Sequence, residues 1–227
     1  MQREGEMEIS VEDYTKRIKN RTILDHVSVR LTGGLIYGFR GINGSGKTML
    51  MRAICGMIRP TSGKVVVDGK VVRPTRAYPI SVGALIENPS FLRECNGLDN
   101  LKMLASLSGI ANESDIRSVL ADLGLDPDDK RLFKEYSLGM RQKLGVAAAI
   151  MGKPHLIILD EPINALDEVS VEKVKEILLR LRANDRIIII ACHDREEMDY
   201  LADRIYVIDE GRIVGEGNDQ ETSNDSI

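Results

Sequence analysis

Residues 41–48 read Gly41-Ile42-Asn43-Gly44-Ser45-Gly46-Lys47-Thr48 and complete the pattern G-x-x-x-x-G-K-[ST]. A glycine-rich loop between a strand and a helix turns its backbone N–H groups inward and forms an anion nest. The helix that follows aims the positive end of its dipole at the same point. Lys47 can then reach the β- and γ-phosphates of a nucleotide, and the Thr48 hydroxyl can ligate Mg²⁺. By chance the pattern arises in on the order of one in a hundred chains of this length. Its flanks strengthen the reading. Residues 34–39 read as a buried strand, and 48–58, with Met49, Leu50, Ala53, Ile54 and Met57 apolar, read as a helix. Strand, loop and helix in that order are what a triphosphate-gripping loop requires.

Outward from the loop, strand-like runs at 7–14 and 24–31 come before it. After it, Asp68-Gly69 between two valine runs predicts a hairpin with a type I′ turn. An apolar strand at 80–86 must stop at Glu87-Asn88-Pro89. Helical periodicity then fills 98–108, 113–123 and 139–151, punctuated by Gly, Asn and Pro-Asp-Asp. Strand character returns at 156–159, followed by a helix at 169–182 with Val171, Val174, Leu178 and Leu181 on one face. Further strands are expected at 187–191 and 204–208, with a short helix between them. Strand–helix alternation with near-continuous apolar strands predicts an α/β fold built on a mostly parallel, covered sheet. The expected organisation is one P-loop NTPase domain over 1–227, with an N-terminal antiparallel β subdomain. The catalytic core and β subdomain are assigned to 1–87 and 152–216, an inserted helical subdomain to 88–151, and a polar, disordered tail to 217–227.

A chain of 227 residues with 43% hydrophobic content can bury a substantial core. The net charge of -4, the absence of Trp and an aromatic content of 4% argue against a nucleic-acid partner, which calls for a basic stripe and stacking rings. Cys55, Cys95 and Cys192 lack C-x-x-C spacing, so neither a disulfide framework nor a zinc site is indicated. A reducing cytosol is the default compartment. No run approaches ~20 apolar residues, so no membrane-spanning helix is expected. The first ten residues lack the basic-then-apolar layout of a signal peptide.

Residues 156–161, LIILDE, read as a buried strand ending in two carboxylates. In open α/β sheets ligands bind at the carboxyl ends of strands. Asp160 can hold Mg²⁺ there, while Glu161, on the other side of the backbone, can polarise an attacking water as general base. Upstream, Tyr136-Ser137-Leu138-Gly139-Met140-Arg141-Gln142 opens the helix at 139–151, with Ser137 a natural N-cap. Downstream, Asn164-Ala165-Leu166-Asp167 forms a turn whose Asp167 can cap the next helix. His193 ends the strand at 187–192; a lone histidine is more often structural or surface than catalytic.

In order and spacing these segments resemble the ATP-binding subunit of ABC transporters over essentially the whole chain. GINGSGKT is similar to the family's Walker A loop and YSLGM to a divergent LSGGQ signature. LIILDEP resembles Walker B with its glutamate, NALD the D-loop, and His193 the switch histidine. The resemblance implies ATP and Mg²⁺ as cofactors, with Gly41, Asn43, Gly44, Ser45, Gly46, Lys47, Thr48 and Met49 binding nucleotide. Thr48, Asp160 and Glu87 are the implied magnesium set, and Glu161 and His193 the catalytic pair. It further implies a head-to-tail dimer with a second copy, in which Ser137, Gly139 and Met140 meet the other subunit's ATP and Asp167 couples the two sites. His193 would then position the γ-phosphate and water rather than deprotonate them.

Departures from the family pattern carry their own meaning. The family's glutamine before the helical insert is Glu87 in GALIENPSFL. That glutamate, with a YSLGM-type signature, resembles the subset exporting bacitracin and lantibiotic-type peptides. The residue expected to stack on adenine is Ile18, and Tyr14 falls four positions too early. Arg40 stands where a large aliphatic is expected. Leu138 and Met140 replace a glycine and a glutamine of the signature, whereas Ser137 and Gly139 remain.

The resulting expectation is an ATPase that powers a separately encoded membrane permease from the cytoplasmic face and exports a peptide or drug-like molecule. The surface around 87–100 would meet the permease, and the chain length leaves no room for the C-terminal regulatory domain of many sugar importers. The alternative is an ABC-type mechanical switch acting on a membrane partner without transport. DNA-repair heads and translation factors of the family carry coiled coils or paired ATPase units, and neither pattern is present in the sequence.

Overall fold

The first strands are β1 (Glu8–Ile18) and β2 (Arg21–Thr32); burial alternates along the start of β1 and along most of β2, and breaks in β1 after Val11, where its register with β2 shifts. The computed structural model describes residues 7–74, 76–192 and 195–217. They divide into two compact units, 7–79 with 182–217 and 80–181. The first unit continues with β3 (Ile36–Arg40), α1 (Lys47–Ile54), β4 (Ser62–Val67) and β5 (Lys70–Val71). The second contains β6 (Val82–Leu85), α2 (Gly97–Ser108), α3 (Glu113–Asp122), α4 (Leu138–Ile150), β7 (Leu156–Asp160) and α5 (Glu168–Arg180). The first unit then resumes with β8 (Ile187–Ala191), α6 (Arg195–Leu201), β9 (Arg204–Asp209) and β10 (Arg212–Gly217).

In the first unit β2, β1, β4 and β5 form an antiparallel sheet in that order. The expected tight turn joins β4 to β5: Asp68 and Gly69 both have positive φ, 46° and 76°, as a type I′ turn requires. β3 lies between β8 and β9 and is parallel to both, with Phe39 opposite Ala191 and Tyr206. All five residues of β8 are buried, which is why its sequence runs apolar without alternation. In the second unit β6 and β7 pair in parallel, in register from Val82 opposite Leu156 to Leu85 opposite Leu159. α4 packs against both strands and buries Leu144, Val146, Ala147, Ala149 and Ile150.

The α/β reading holds, with local differences. α1 stops at Ile54 rather than 58, because the chain turns at Cys55 and Gly56, and Met57 is exposed instead of facing the core. No strand was expected after 208, yet Arg212–Gly217 forms β10, an edge strand held by antiparallel pairing to β9, and its last residue, Gly217, is where the loose tail was expected to begin. Its residues are at most half-buried, so hydrophobicity gave little signal. Residues 218–227 lie outside the described residues.

Candidate functional site

The phosphate loop grows from the carboxyl end of β3. Ile36, Tyr37 and Phe39 are fully buried, which fixes the strand, and α1 starts six residues after Gly41, at Lys47. Gly46 is the N-cap at φ 114°, with no side-chain cap and no acid in the first turn. The first N–H groups of a helix have no intrahelical acceptors, so α1 offers its own to an outside anion. Lys47 is only 6% exposed, and its Nζ donates to the carbonyls of Gly41 at 2.6 Å and Ile42 at 3.0 Å. Those two bonds hold the ammonium over the loop. Ser45 Oγ is buried without a hydrogen-bond partner. The loop is buttressed from behind by the β9–β10 turn, where the Gly211 N–H donates to the Ser45 carbonyl at 2.8 Å.

In the second unit the parallel register aligns the acids. Leu85 faces Leu159, so Asp160, the last residue of β7, and Glu87 and Glu161, just beyond the strands, all lie at the carboxyl ends of two adjacent strands. Glu87 and Glu161 each occupy the residue two beyond the aligned pair, and both adopt left-handed backbone, φ 66° and 51°. Ser137 caps α4 as expected, its hydroxyl accepting from the Met140 N–H at 3.2 Å. Ser137 is exposed and Gly139 and Met140 are partly so. The Tyr136 hydroxyl accepts from the Gly97 N–H at 3.1 Å, and the Tyr136 ring packs on Phe133. The residues before α4 are thereby anchored to the start of α2. Asp167 caps α5, accepting from the Ser170 N–H at 2.9 Å. That backbone donor, then the Ser170 hydroxyl, holds the Asp167 carboxyl below its ordinary range. The cap is therefore fully charged at neutral pH and is lost only as pH falls through the lowered value.

Lys47 and the loop glycines thus belong to one unit, and Glu87, the signature residues, Asp160, Glu161 and Asp167 to the other. β8 ends at Ala191 beside Phe39; His193 lies outside the described residues. Tyr14 is 1% exposed and its hydroxyl donates to the Ile58 carbonyl at 3.0 Å, so it is a core residue and not a base-stacking ring. Arg40 gains an account in Asp199 of α6, 3.8 Å away. Gln142, the last residue of the stretch that opens the helix and one to which the sequence assigned no role, donates from Nε2 to the Glu161 carbonyl at 2.8 Å.

The residues fit the implied groups. An uncapped, acid-free helix start with a buried lysine matches a polyphosphate. In one unit Asp160 and Glu87, and in the other Thr48, carry hard oxygen donors of the type that Mg²⁺ takes. Among the described residues no cluster of three or more His, Cys, Asp or Glu could hold a metal alone.

A family model for ABC transporters matches residues 24–164, and the chain belongs to the ABC transporter family. Within it, the chain is an ATP-binding, ATP-hydrolysing subunit. It is 40% identical over 205 residues to the uncharacterized ABC transporter ATP-binding protein YybJ of Bacillus subtilis (strain 168), covering 90% of this chain and 94% of that protein. The bacitracin transport ATP-binding protein BcrA of Enterococcus faecalis is 37% identical, over 92% of this chain and 69% of its own length. The lantibiotic transport ATP-binding protein SrtF of Streptococcus pyogenes is 34% identical, over 91% of this chain and 89% of its own. The fold matches the dimeric structure of MJ0796, a bacterial ABC transporter cassette, with a TM-score of 0.84 at 20% identity, covering 92% of this chain and 97% of that one. Among the described residues no helix is long and apolar enough to cross a membrane.

Proposed function

We propose that this subunit drives a separately encoded membrane permease that exports a peptide or drug-like molecule, working as an ATP-closed, head-to-tail dimer at the cytoplasmic face of the membrane. The observation that carries the hydrolytic reading is the register of β6 and β7, with Glu87, Asp160 and Glu161 at the carboxyl ends of the two paired strands. The export reading is supported by relatives named for bacitracin and lantibiotic transport. In this reading Lys47 and the N–H groups of residues 43–49 bind the phosphates. Thr48, Asp160 and Glu87 would hold Mg²⁺, which would supply charge neutralisation to the phosphates. Glu161 accepts the proton of the attacking water, and His193 orients that water. Ser137, Gly139 and Met140 close on the ATP held by the second copy, and Asp167 links the two sites. The proposed division is a catalytic core and β subdomain in 1–87 and 152–216, with a helical subdomain in 88–151.

Glu161→Gln tests the reading. It keeps the shape and removes the base, so ATP binding persists, the closed dimer accumulates on size exclusion, and turnover falls by about 100- to 10,000-fold. Ordinary turnover in that variant would sink the general-base assignment. Reconstitution with the permease in vesicles tests the export half. ATP-dependent movement of a bacitracin-like peptide is expected, and ATP turnover with no transported species overturns it.

A further inference from the structure

Glu161 is held by a side chain from the signature helix. Gln142 lies in the second turn of α4 and is 9% exposed. Its Nε2 donates to the Glu161 main-chain carbonyl at 2.8 Å, and the same oxygen accepts from the Asn164 N–H at 3.3 Å. Two donors on one carbonyl fix the peptide plane that follows Glu161, and with it the direction in which the carboxylate leaves the chain. Glu161 needs such support. It sits at φ 51°, a region that side-chain-bearing residues keep only when their surroundings impose it. It also precedes Pro162, and a residue before proline is normally driven to extended backbone.

A second contact lies on the same face of α4, three residues earlier. A Cβ on Gly139 would stand 2.9 Å from the Ala165 carbonyl oxygen, so the turn from Glu161 to Asp167 runs directly over the helix start. Ala165 is itself left-handed, φ 61°. The first turns of α4 and the turn carrying the acid are therefore packed directly on one another.

We infer that Gln142 is a positioning residue for Glu161, and that it ties each protomer's signature helix to that protomer's own hydrolytic base. The inference rests on the reading of Glu161 as base and of α4 as the contact to ATP on the second copy. Phosphate arriving at Ser137 and Gly139 then acts on Glu161 through one short hydrogen bond within the chain. Occupancy of one ATP site thus adjusts the base of the other.

Gln142→Met keeps length and bulk but has no donor. Steady-state ATPase kinetics and thermal melting are measured on it beside the parent and Glu161→Gln. The expected result is a kcat lower by about tenfold to a hundredfold, as for a misaligned catalytic group, with the KM for ATP within about threefold. Gln142→Glu, of the same shape but presenting an acceptor to the carbonyl, is expected to lose more, and it carries the test if the Met variant does not fold. A kcat within about twofold of the parent in a folded variant, or a raised KM at unchanged kcat, overturns the inference. Normal turnover in Glu161→Gln would overturn the base reading itself. Loss there with normal turnover in Gln142→Met would remove only the role of Gln142.

Discussion

Helices α1 and α3 begin in opposite ways. α3 satisfies itself: the Asn112 side chain accepts from the Asp115 N–H, the Asp115 carboxylate accepts from the Asn112 N–H, both at 3.0 Å, and Glu113 and Asp115 answer the dipole. α1 has Gly46 at the cap, no acid in its first turn and a buried cation, Lys47, as its first residue. A positive side chain at the positive end of a helix opposes the macrodipole. An arrangement this unfavourable in isolation is rational only if an anion from outside completes it. One helix start is finished by its own sequence, the other by its ligand.

The comparison breaks most visibly at Lys47. Lys47→Ala removes the cation but leaves the loop backbone, and a charged hydrogen bond contributes about 1.5–3 kcal/mol. ATP affinity, measured by calorimetric titration, should fall by roughly tenfold to a hundredfold. Unchanged affinity would mean that the ammonium serves only the carbonyls of Gly41 and Ile42. Gly46→Ala acts on the backbone instead. At φ 114° an alanine is strained, and its Cβ would stand 3.2 Å from the Gly211 Cα. A loss of about 1–3 kcal/mol is expected, read as a lower melting temperature even without nucleotide. If melting is unaffected, the loop is looser than its packing on the β9–β10 turn implies.

The same contrast explains what the sequence disclosed. Phosphate loop, hairpin and caps were legible because each is local: Asp68-Gly69 sets its own turn, and Ser137 and Asp167 bond to residues three positions on. The succession of strands and helices along the chain followed from apolar runs and their spacing, and the family's motifs from their resemblance and order. What escaped depends on contacts distant in sequence. β10 is a strand because β9 is beside it, and Arg40 is tolerated because Asp199 faces it. Gln142 reads as one more polar residue on an amphipathic helix. Only the approach of Glu161, nineteen positions away in the chain, gives it a partner. The left-handed backbones of Glu87 and Glu161 carried no signal either, since glycine and not glutamate announces that region.

The smallest effect sharpens the comparison from its other side. Asn112→Ala removes the acceptor that caps α3 and leaves the Asp115 N–H to water. The loss is about 1 kcal/mol, a fall in melting temperature of about 2–4 °C for a chain of this size. α3 is self-capped and belongs to no nucleotide contact, so ATP affinity and turnover should stay at parental values. The Lys47→Ala pattern is the reverse, with affinity lost and melting without nucleotide nearly unchanged. A variant at Asn112 that lost ATP affinity would show that a helix completed by its own side chains still communicates with the phosphate site. The division between self-capped and ligand-capped helix starts would then be structural only, and not functional.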